Sequence, residues 1–165
     1  MTAGDVGGAF ADFARSLAGT ALIATAAADG GPQGCLVGFA TQASIDPPRI
    51  LVCVSVRNAT FGAARSATHL GVHVVPASRL DLARLFGGET GDDIDKFDRT
   101  PWEAGPEGEP LLTDCSTRMS GRVAARIELG DHVGFLLDPV AVWAAPDVDA
   151  LDIRRASGIE PGHEP

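Results

Sequence analysis

The sequence predicts a mainly β fold of the α+β class, an antiparallel β-barrel with short capping helices. About six short, β-prone apolar stretches are separated by Gly- and Pro-rich turns, and only two or three brief stretches have helical spacing. Because the strands do not alternate regularly with long crossover helices, a doubly wound parallel sheet is disfavoured. The chain has 165 residues, of which 45% are hydrophobic and 21% charged, enough for one domain with a buried core.

Three stretches predict helices. The first is amphipathic and ends at Gly19, and its apolar face is formed by Phe10, Phe13, Ala14 and Leu17. The clearest helix is "ASRLDLARLFGG", in which Ser78 and Asp81 form an N-cap pattern and Gly87 ends the apolar repeat. A third, short helix follows a loop within residues 57–67.

The six predicted strands are runs of β-branched and other apolar residues bounded by turn residues. They cover residues 20–26, 34–40, 50–56 and 69–75, and two further strands within 116–144 that flank a turn at Gly130 and Asp131. The most β-prone run is "ILVCVSV", the third of these strands. Short spacing between consecutive strands is typical of antiparallel barrels.

Two segments have the composition of loops. Residues 89–110 are acidic and rich in Gly and Pro, and a loop of this length in a compact domain is usually functional or mobile. Residues 146–165 mix Pro, Asp and Glu, and we expect a loose C-terminal tail there. The predicted organisation is therefore one domain over residues 1–145 and a tail over 146–165.

Charge and cysteine content exclude several classes of protein. The formal net charge is −9 and no Lys/Arg cluster offsets it, so binding to nucleic acid or to an anionic membrane is disfavoured. The N-terminus lacks the features of a signal peptide, and no run approaches the ~20 apolar residues of a membrane helix. Cys35, Cys53 and Cys115 form no CxxC pair, which favours reduced thiols in a cytoplasmic protein.

Common catalytic motifs are missing from the sequence. Neither a phosphate-binding GxxxxGK[ST] loop nor a GxGxxG turn is present, and no Ser-His-Asp or Cys-His pattern occurs near a histidine. His69 and His73 have HxxxH spacing, but the surrounding valines predict a strand. Four residues along a strand span roughly 13 Å, too far to share one ion, so we predict no metal site.

The stretch "GFATQASIDPPR" is the first candidate binding site. Thr41, Gln42 and Ser44 supply hydroxyl and amide groups within four residues, and Gly38 permits close approach of a flat ligand to the backbone. A polar strand end followed by a proline turn is the structural alternative. Phe39 could stack on a planar ligand, but most aromatic residues belong to a core.

Two further stretches supply candidate site residues. "SVRNATFG" gives one cation and two polar groups, Arg57, Asn58 and Thr60, before a short helix, and such a loop can hold a phosphate. His132 follows the Gly-Asp turn between two strands. It is either an inert turn residue or a polar contact and proton donor beside a redox ligand.

These stretches, in their order and spacing, resemble the flavin reductase-like family of flavin-binding split β-barrels. The resemblance covers about residues 17–143 and is carried by "TALIATAAADGGPQGCLVGFATQASIDPPRILVCVSV", "RNATF", "LGVHVV", "LARLFGG", "DKF" and "GDHVGF". It implies a six-stranded antiparallel split β-barrel. It also implies a homodimer that binds FMN, or in some members FAD, at the subunit interface.

The resemblance further implies an enzyme, an NAD(P)H-dependent flavin oxidoreductase that reduces bound or exchangeable FMN. The reduced flavin can pass to a monooxygenase partner. By position, His132 would lie near the nicotinamide as the catalytic residue. The cofactor-binding residues implied are Val37, Gly38, Phe39, Thr41, Gln42, Ser44, Ser55, Arg57, Asn58, Thr60, Phe61 and Lys96.

Two alternatives stay open at the level of the sequence. One is a flavin-binding or carrier protein without turnover of its own, and the other is a split barrel that uses a deazaflavin. The redox chemistry would in each case belong to the cofactor, while the protein supplies binding and orientation. NAD(P)H consumption distinguishes the carrier from the reductase.

Overall fold

The computed structural model describes residues 2–88 and 94–159. Its α-helices are α1 (Ala3–Ser16), α2 (Ala59–Ala64) and α3 (Leu80–Gly88), and short 3₁₀ helices lie at Lys96–Asp98 and Ile153–Ala156. Its strands are β1 (Leu22–Ala28), β2 (Gly31–Val37), β3 (Ala40–Ile45), β4 (Pro48–Ser55), β5 (His69–Val74), β6 (Trp102–Ala104), β7 (Pro110–Leu112), β8 (Arg118–Glu128) and β9 (His132–Trp143). Within the described ranges, every helix is too short or too polar to cross a membrane.

One antiparallel sheet dominates the molecule. Its strand order is β2-β1-β5-β8-β9-β4-β3, and β6 and β7 form a separate two-stranded ribbon. The predicted fold class, mainly antiparallel β with short helices, is confirmed. The number of strands differs from the predicted six, because β3 is a seventh strand of the main sheet and the ribbon adds two more.

The main sheet buries apolar side chains on both faces. Successive residues of β1 point to opposite faces, so Leu22 and Ala24 belong to one core cluster and Ile23 to the other. The first cluster also includes Val52, Val54, Leu70, Phe135 and Leu137. The second joins the sheet to α3 and the ribbon through Leu82, Phe86, Leu112 and Leu151. Burial of each such side chain stabilises the fold by about 1.5–3 kcal/mol.

Strand β3 contains the polar residues Thr41, Gln42 and Ser44 of the first candidate binding site. It pairs with β4, with Thr41 opposite Leu51 and Gln42 opposite Ile50, and a register shift follows between Gln42 and Ser44. β3 is the edge of the sheet and its side chains are largely exposed. The prediction, which has no strand over residues 41–45, is therefore wrong there. The two prolines belong to the β3–β4 hairpin, and the polar residues form one of its strands.

The chain after β9 packs against the domain. Leu151 is fully buried in the second core cluster, and isolated bridges join Thr20 to Asp152 and Pro76 to Ala150. The loose conformation expected for the tail is therefore not observed over residues 146–159, while the domain boundary at residue 145 stays a prediction. Residues 89–93 of the predicted acidic loop and residues 160–165 of the predicted tail lie outside the described residues.

Candidate functional site

A pocket of about 300 Å³ opens where β2, β4 and β9 come together. Antiparallel pairing of β4 with β9 places Ser55, at the end of β4, opposite His132, at the start of β9. The chain that follows β2 contributes Gly38 and Phe39. The pocket is lined by Cys35, Leu36, Val37, Gly38, Phe39, Cys53, Val54, Ser55, Asn58, Asp131 and His132.

His132 is the polar centre of this pocket. Its Nδ1 lies 2.8 Å from Asp131 Oδ1, and since a carboxylate only accepts, the ring N–H donates. This hydrogen bond is the main reason why the pKa of Asp131 is lowered, and the charge of Arg57 contributes. The ring of Phe39 packs on the imidazole, with ring centroids 5.0 Å apart and an interplanar angle of 50°.

Two thiols form part of the pocket wall. Burial raises the pKa of Cys35 to about 11, and burial also raises the pKa of Cys53. Both side chains are therefore neutral thiols near neutral pH and behave as small apolar groups. The Thr60 side chain is hydrogen-bonded to Cys35, and Thr60 is buried and does not line the pocket.

The loop before α2 only partly follows the predicted phosphate site. Asn58 reaches the pocket, and its side-chain oxygen also accepts a hydrogen bond from the Thr60 N–H at 3.0 Å, as the N-cap of α2. Phe61 packs against the first core cluster. Arg57 is exposed beside the pocket, and its backbone N–H donates to Ser55 Oγ at 3.3 Å.

Lys96 lies away from the pocket lining, inside the protein. Its side chain is almost fully buried, and Nζ donates to the carbonyl oxygens of Phe86 (3.2 Å) and Gly34 (3.3 Å). The ammonium thereby binds the last turn of α3, where a cation is favoured, and joins it to β2. These two hydrogen bonds explain the buried position of Lys96 without a bound ligand.

A second cavity, of about 600 Å³, lies on the other side of the chain that leaves β2. It is bounded by α1, by Ile153 and by residues 38–41, so that Gly38 and Phe39 line both cavities. Thr41 lines this second cavity. Gln42 and Ser44 line neither of the two, and Gln42 Nε2 instead donates to the Ser44 carbonyl at 3.3 Å.

Six of the predicted site residues thus meet in the first pocket: Val37, Gly38, Phe39, Ser55, Asn58 and His132. The prediction missed Cys35, Leu36, Cys53, Val54 and Asp131, which also line it. The cysteines and their neighbours have the apolar pattern of core strands, and nothing in their sequence distinguishes a pocket wall from a core. For Asp131 a signal existed, because it directly precedes His132 at a turn.

The pocket has the properties needed to hold a flavin ring. Its lining is largely apolar, and its polar and charged side chains are confined to Ser55, Asn58, Asp131 and His132. Ligand pockets are typically apolar with a few placed polar groups, in volumes of about 300–1,000 Å³. At about 300 Å³ the pocket fits one planar ring system, while the remainder of a nucleotide would lie outside.

Comparisons with known proteins agree with this geometry. The chain is 28% identical over 123 residues to the FMN reductase (NADH) RutF of Bradyrhizobium diazoefficiens, covering 74% of this chain and 68% of the relative. It is 26% identical over 129 residues to the 4-hydroxyphenylacetate 3-monooxygenase reductase component of Salmonella typhimurium, covering 78% and 76%. The crystal structure of an FMN-binding protein from Thermus thermophilus superposes with a TM-score of 0.71 at 25% identity, covering 76% of this chain and 70% of that one.

The family assignment rests on a match along most of the chain. The model of the flavin reductase like domain matches residues 13–158, which include α2, α3 and all nine described strands. Its extent agrees with the fold, because the matched range ends after the C-terminal segment that packs on the sheet. The resemblance seen in the sequence is therefore confirmed, and the chain belongs to the flavin reductase-like family.

Proposed function

We propose that this protein is a flavin oxidoreductase that uses NADH to reduce FMN or FAD. The expected class of enzyme, a flavin reductase, is confirmed by the family match. One structural observation supports this function at the level of individual residues. The histidine His132 lines a largely apolar pocket, and the ring of Phe39 packs against its imidazole.

The pocket residues have distinct proposed roles. When bound, FMN supplies the hydride-accepting chemistry, and the protein orients and shields it. Val37, Gly38 and Phe39 would hold the ring against the sheet, while Ser55 and Asn58 would offer hydrogen bonds at its polar edge. The Nδ1–H of His132 is used by Asp131, so Nε2 is the ring nitrogen directed to the nicotinamide in this proposal.

The predicted binding roles of the remaining residues are retained as proposals. Thr41, Gln42 and Ser44 lie on the exposed edge strand β3, where a second subunit or the outer part of the nucleotide could reach them. Arg57 is an exposed cation beside the pocket that could offset a phosphate charge. Thr60 and Lys96 are buried and Phe61 is partly buried against the first core cluster, and these positions support structural roles more strongly than direct contact with a ligand.

A homodimer is also part of the proposal. Apolar side chains of α1 and of Leu17, directly after it, are exposed on the single chain: Phe10 by 64%, Phe13 by 59% and Leu17 by 69%. Contiguous exposed apolar surface of this kind is typical of an interaction site. The relatives that are reductase components suggest a monooxygenase partner that receives reduced flavin. Free thiols at Cys35, Cys53 and Cys115 agree with a reducing, cytoplasmic environment.

Absorbance spectroscopy tests the proposal directly. The purified protein is mixed with FMN or FAD, unbound flavin is removed, and NADH or NADPH is added without oxygen. We expect bound flavin to give a yellow protein, NADH to bleach it, and His132→Ala to slow bleaching by about 10²-fold or more. Binding without bleaching above the free-flavin background would instead support a carrier. A protein that binds neither flavin but retains a deazaflavin would support the second alternative.

A further inference from the structure

We infer that Asp131 is a positioning residue for His132, holding its imidazole in one tautomer and one orientation. The inference rests on the proposed role of His132 in flavin reduction. Asp131 Oδ1 accepts the Nδ1–H of His132 at 2.8 Å, and both residues line the same pocket. A neutral imidazole has a single N–H, so an N–H on Nδ1 leaves the lone pair of Nε2 for the ligand.

The backbone on both sides of this pair is fixed. The N–H of Val56 donates to the Asp131 carbonyl at 3.0 Å, which ties the β8–β9 turn to the end of β4. The N–H of Leu129 donates to the His132 carbonyl at 3.0 Å, which closes the turn itself. The carboxylate therefore approaches the imidazole from a defined position and not from a freely moving loop.

A second contact limits the orientation of the imidazole. The ring of Phe39 packs against it at 5.0 Å between centroids, from the chain that leaves β2. The hydrogen bond from Nδ1 to Asp131 limits rotation of the imidazole. The ring of Phe39 contacts one face of the imidazole. Together they leave the Nε2 edge as the part of the imidazole available to a bound ligand.

The contribution of this pair to folding is expected to be small. The Asp131 side chain is 77% exposed, whereas that of His132 is 25% exposed. A hydrogen bond to so exposed a carboxylate competes with water and contributes little to stability. Placement of the pair at the pocket therefore agrees better with orientation of His132 than with stabilisation of the turn.

Nitrogen NMR on protein labelled with ¹⁵N-histidine reads the tautomer directly. The chain has four histidines, so the signals of His132 can be identified by their loss in His132→Gln. We expect Nδ1 of His132 to carry the proton in the wild type, whereas in Asp131→Asn the amide can donate as well as accept and no longer confines the proton to Nδ1. In Asp131→Ala the Nδ1–H signal should be lost or shared with Nε2. Asp29→Ala, in the exposed β1–β2 turn, is the matched control and should leave the spectrum unchanged.

Single-turnover kinetics of the flavin-loaded protein give the second readout. Asp131→Ala should lower the rate of flavin reduction by roughly tenfold to a hundredfold, with little change in the NADH concentration giving half the maximal rate. Asp131→Glu should recover part of that rate. The midpoint of urea unfolding should stay within error of the Asp29→Ala control.

The possible failures of these experiments are distinguishable. If Asp131→Ala retains the wild-type tautomer, or reduces flavin as fast as Asp29→Ala, the positioning role is overturned. If His132→Ala reduces flavin at the wild-type rate, the proposed role of His132 fails instead. In that case the NMR result still decides whether Asp131 sets its tautomer.

Discussion

His73 is a fully buried histidine whose two ring nitrogens both bind the backbone. The Nδ1–H donates to the carbonyl of Ile23, and Nε2 accepts from the N–H of Leu112, each at 3.0 Å. The ring thus joins β1, β5 and β7. Burial lowers the pKa of His73 to about 4, the nearby charge of Arg118 adds to this, and the Ile23 carbonyl partly opposes it. Protonation would remove the acceptor that Leu112 uses.

We predict that this histidine makes the protein less stable in mild acid. Its folded pKa of about 4 lies below the ordinary 6.5, so the unfolded chain binds more protons between these values. The contribution of His73 is fully present above pH 6.5 and is lost as the pH falls towards 4. Between pH 7.5 and 5 the free energy of unfolding should fall by about 2 kcal/mol from this group. Urea unfolding at several pH values measures it.

Replacement of the histidine separates this effect from that of other titrating groups. His73→Gln should be less stable than the wild type at pH 7.5, yet its stability should decline less between pH 7.5 and 5. His69→Gln is the matched control, because His69 lies on the same strand in a more exposed position. Equal declines in wild type, His73→Gln and His69→Gln would contradict the prediction.

At the scale of elements, the ribbon of β6 and β7 packs closely on the outer side of β5. Thr25 Oγ1 donates to the Pro110 carbonyl at 2.5 Å, across the face of Gly71. A Cβ at Gly71 would lie 2.3 Å from Thr25 Oγ1 and 2.6 Å from the Pro110 carbonyl oxygen. Because one of these neighbours is backbone, the contact cannot be relieved by a side-chain rotation alone. Absence of a side chain at Gly71 is therefore required for the ribbon to dock.

We predict opposite effects for two Gly→Ala substitutions. Gly71→Ala should lower the free energy of unfolding by about 3 kcal/mol, because the ribbon must move away from β5. Gly62→Ala, in α2, should raise it by about 0.5–1 kcal/mol, because a Cβ there meets nothing within 4 Å and alanine favours helix. Urea denaturation of both variants measures the difference. Similar stability of Gly71→Ala and the wild type would contradict the close packing.

Elements whose residues follow a clear hydrophobic period could be predicted from the sequence. β4 was predicted because "ILVCVSV" is a run of β-prone residues, and α3 because its apolar residues repeat at helical spacing. β3 was missed because it is exposed on both faces and its polar residues show no alternation. The ribbon strands were missed because each has three residues within a Gly- and Pro-rich segment.

Residues of the candidate site could be predicted only where a local sequence pattern marks them. His132 follows a Gly-Asp turn, and Gly38 ends an apolar run, so both could be selected. The pairing that brings Ser55 opposite His132 depends on the register between strands far apart in sequence, which no local pattern specifies. The burial of Thr60 and Lys96 could not be predicted either, because polar side chains are usually exposed and these two instead form hydrogen bonds inside the protein.

At the scale of the whole molecule, the net negative charge and the exposed apolar residues of α1 both influence the association of two copies. A net charge of −9 disfavours close approach of two copies, so a dimer must gain its stability from apolar contact. Phe10 and Phe13 offer such contact on one face of α1, with ring centroids 6.3 Å apart. The same helix bounds the 600 Å³ cavity shared with Phe39. Association through α1 would therefore affect the pocket around His132 as well, because Gly38 and Phe39 line both cavities.

We predict that the double substitution Phe10→Ser and Phe13→Ser converts a dimer to a monomer and weakens FMN binding. Loss of two exposed aromatic side chains removes interface area but no core contact, so the monomer should fold with an unchanged circular dichroism spectrum. Sedimentation velocity measures the mass and flavin fluorescence the affinity, with Val148→Ser, an exposed apolar residue outside α1, as the control. A wild type that sediments as a monomer, or a double variant that remains a dimer with full affinity, would remove α1 from the interface.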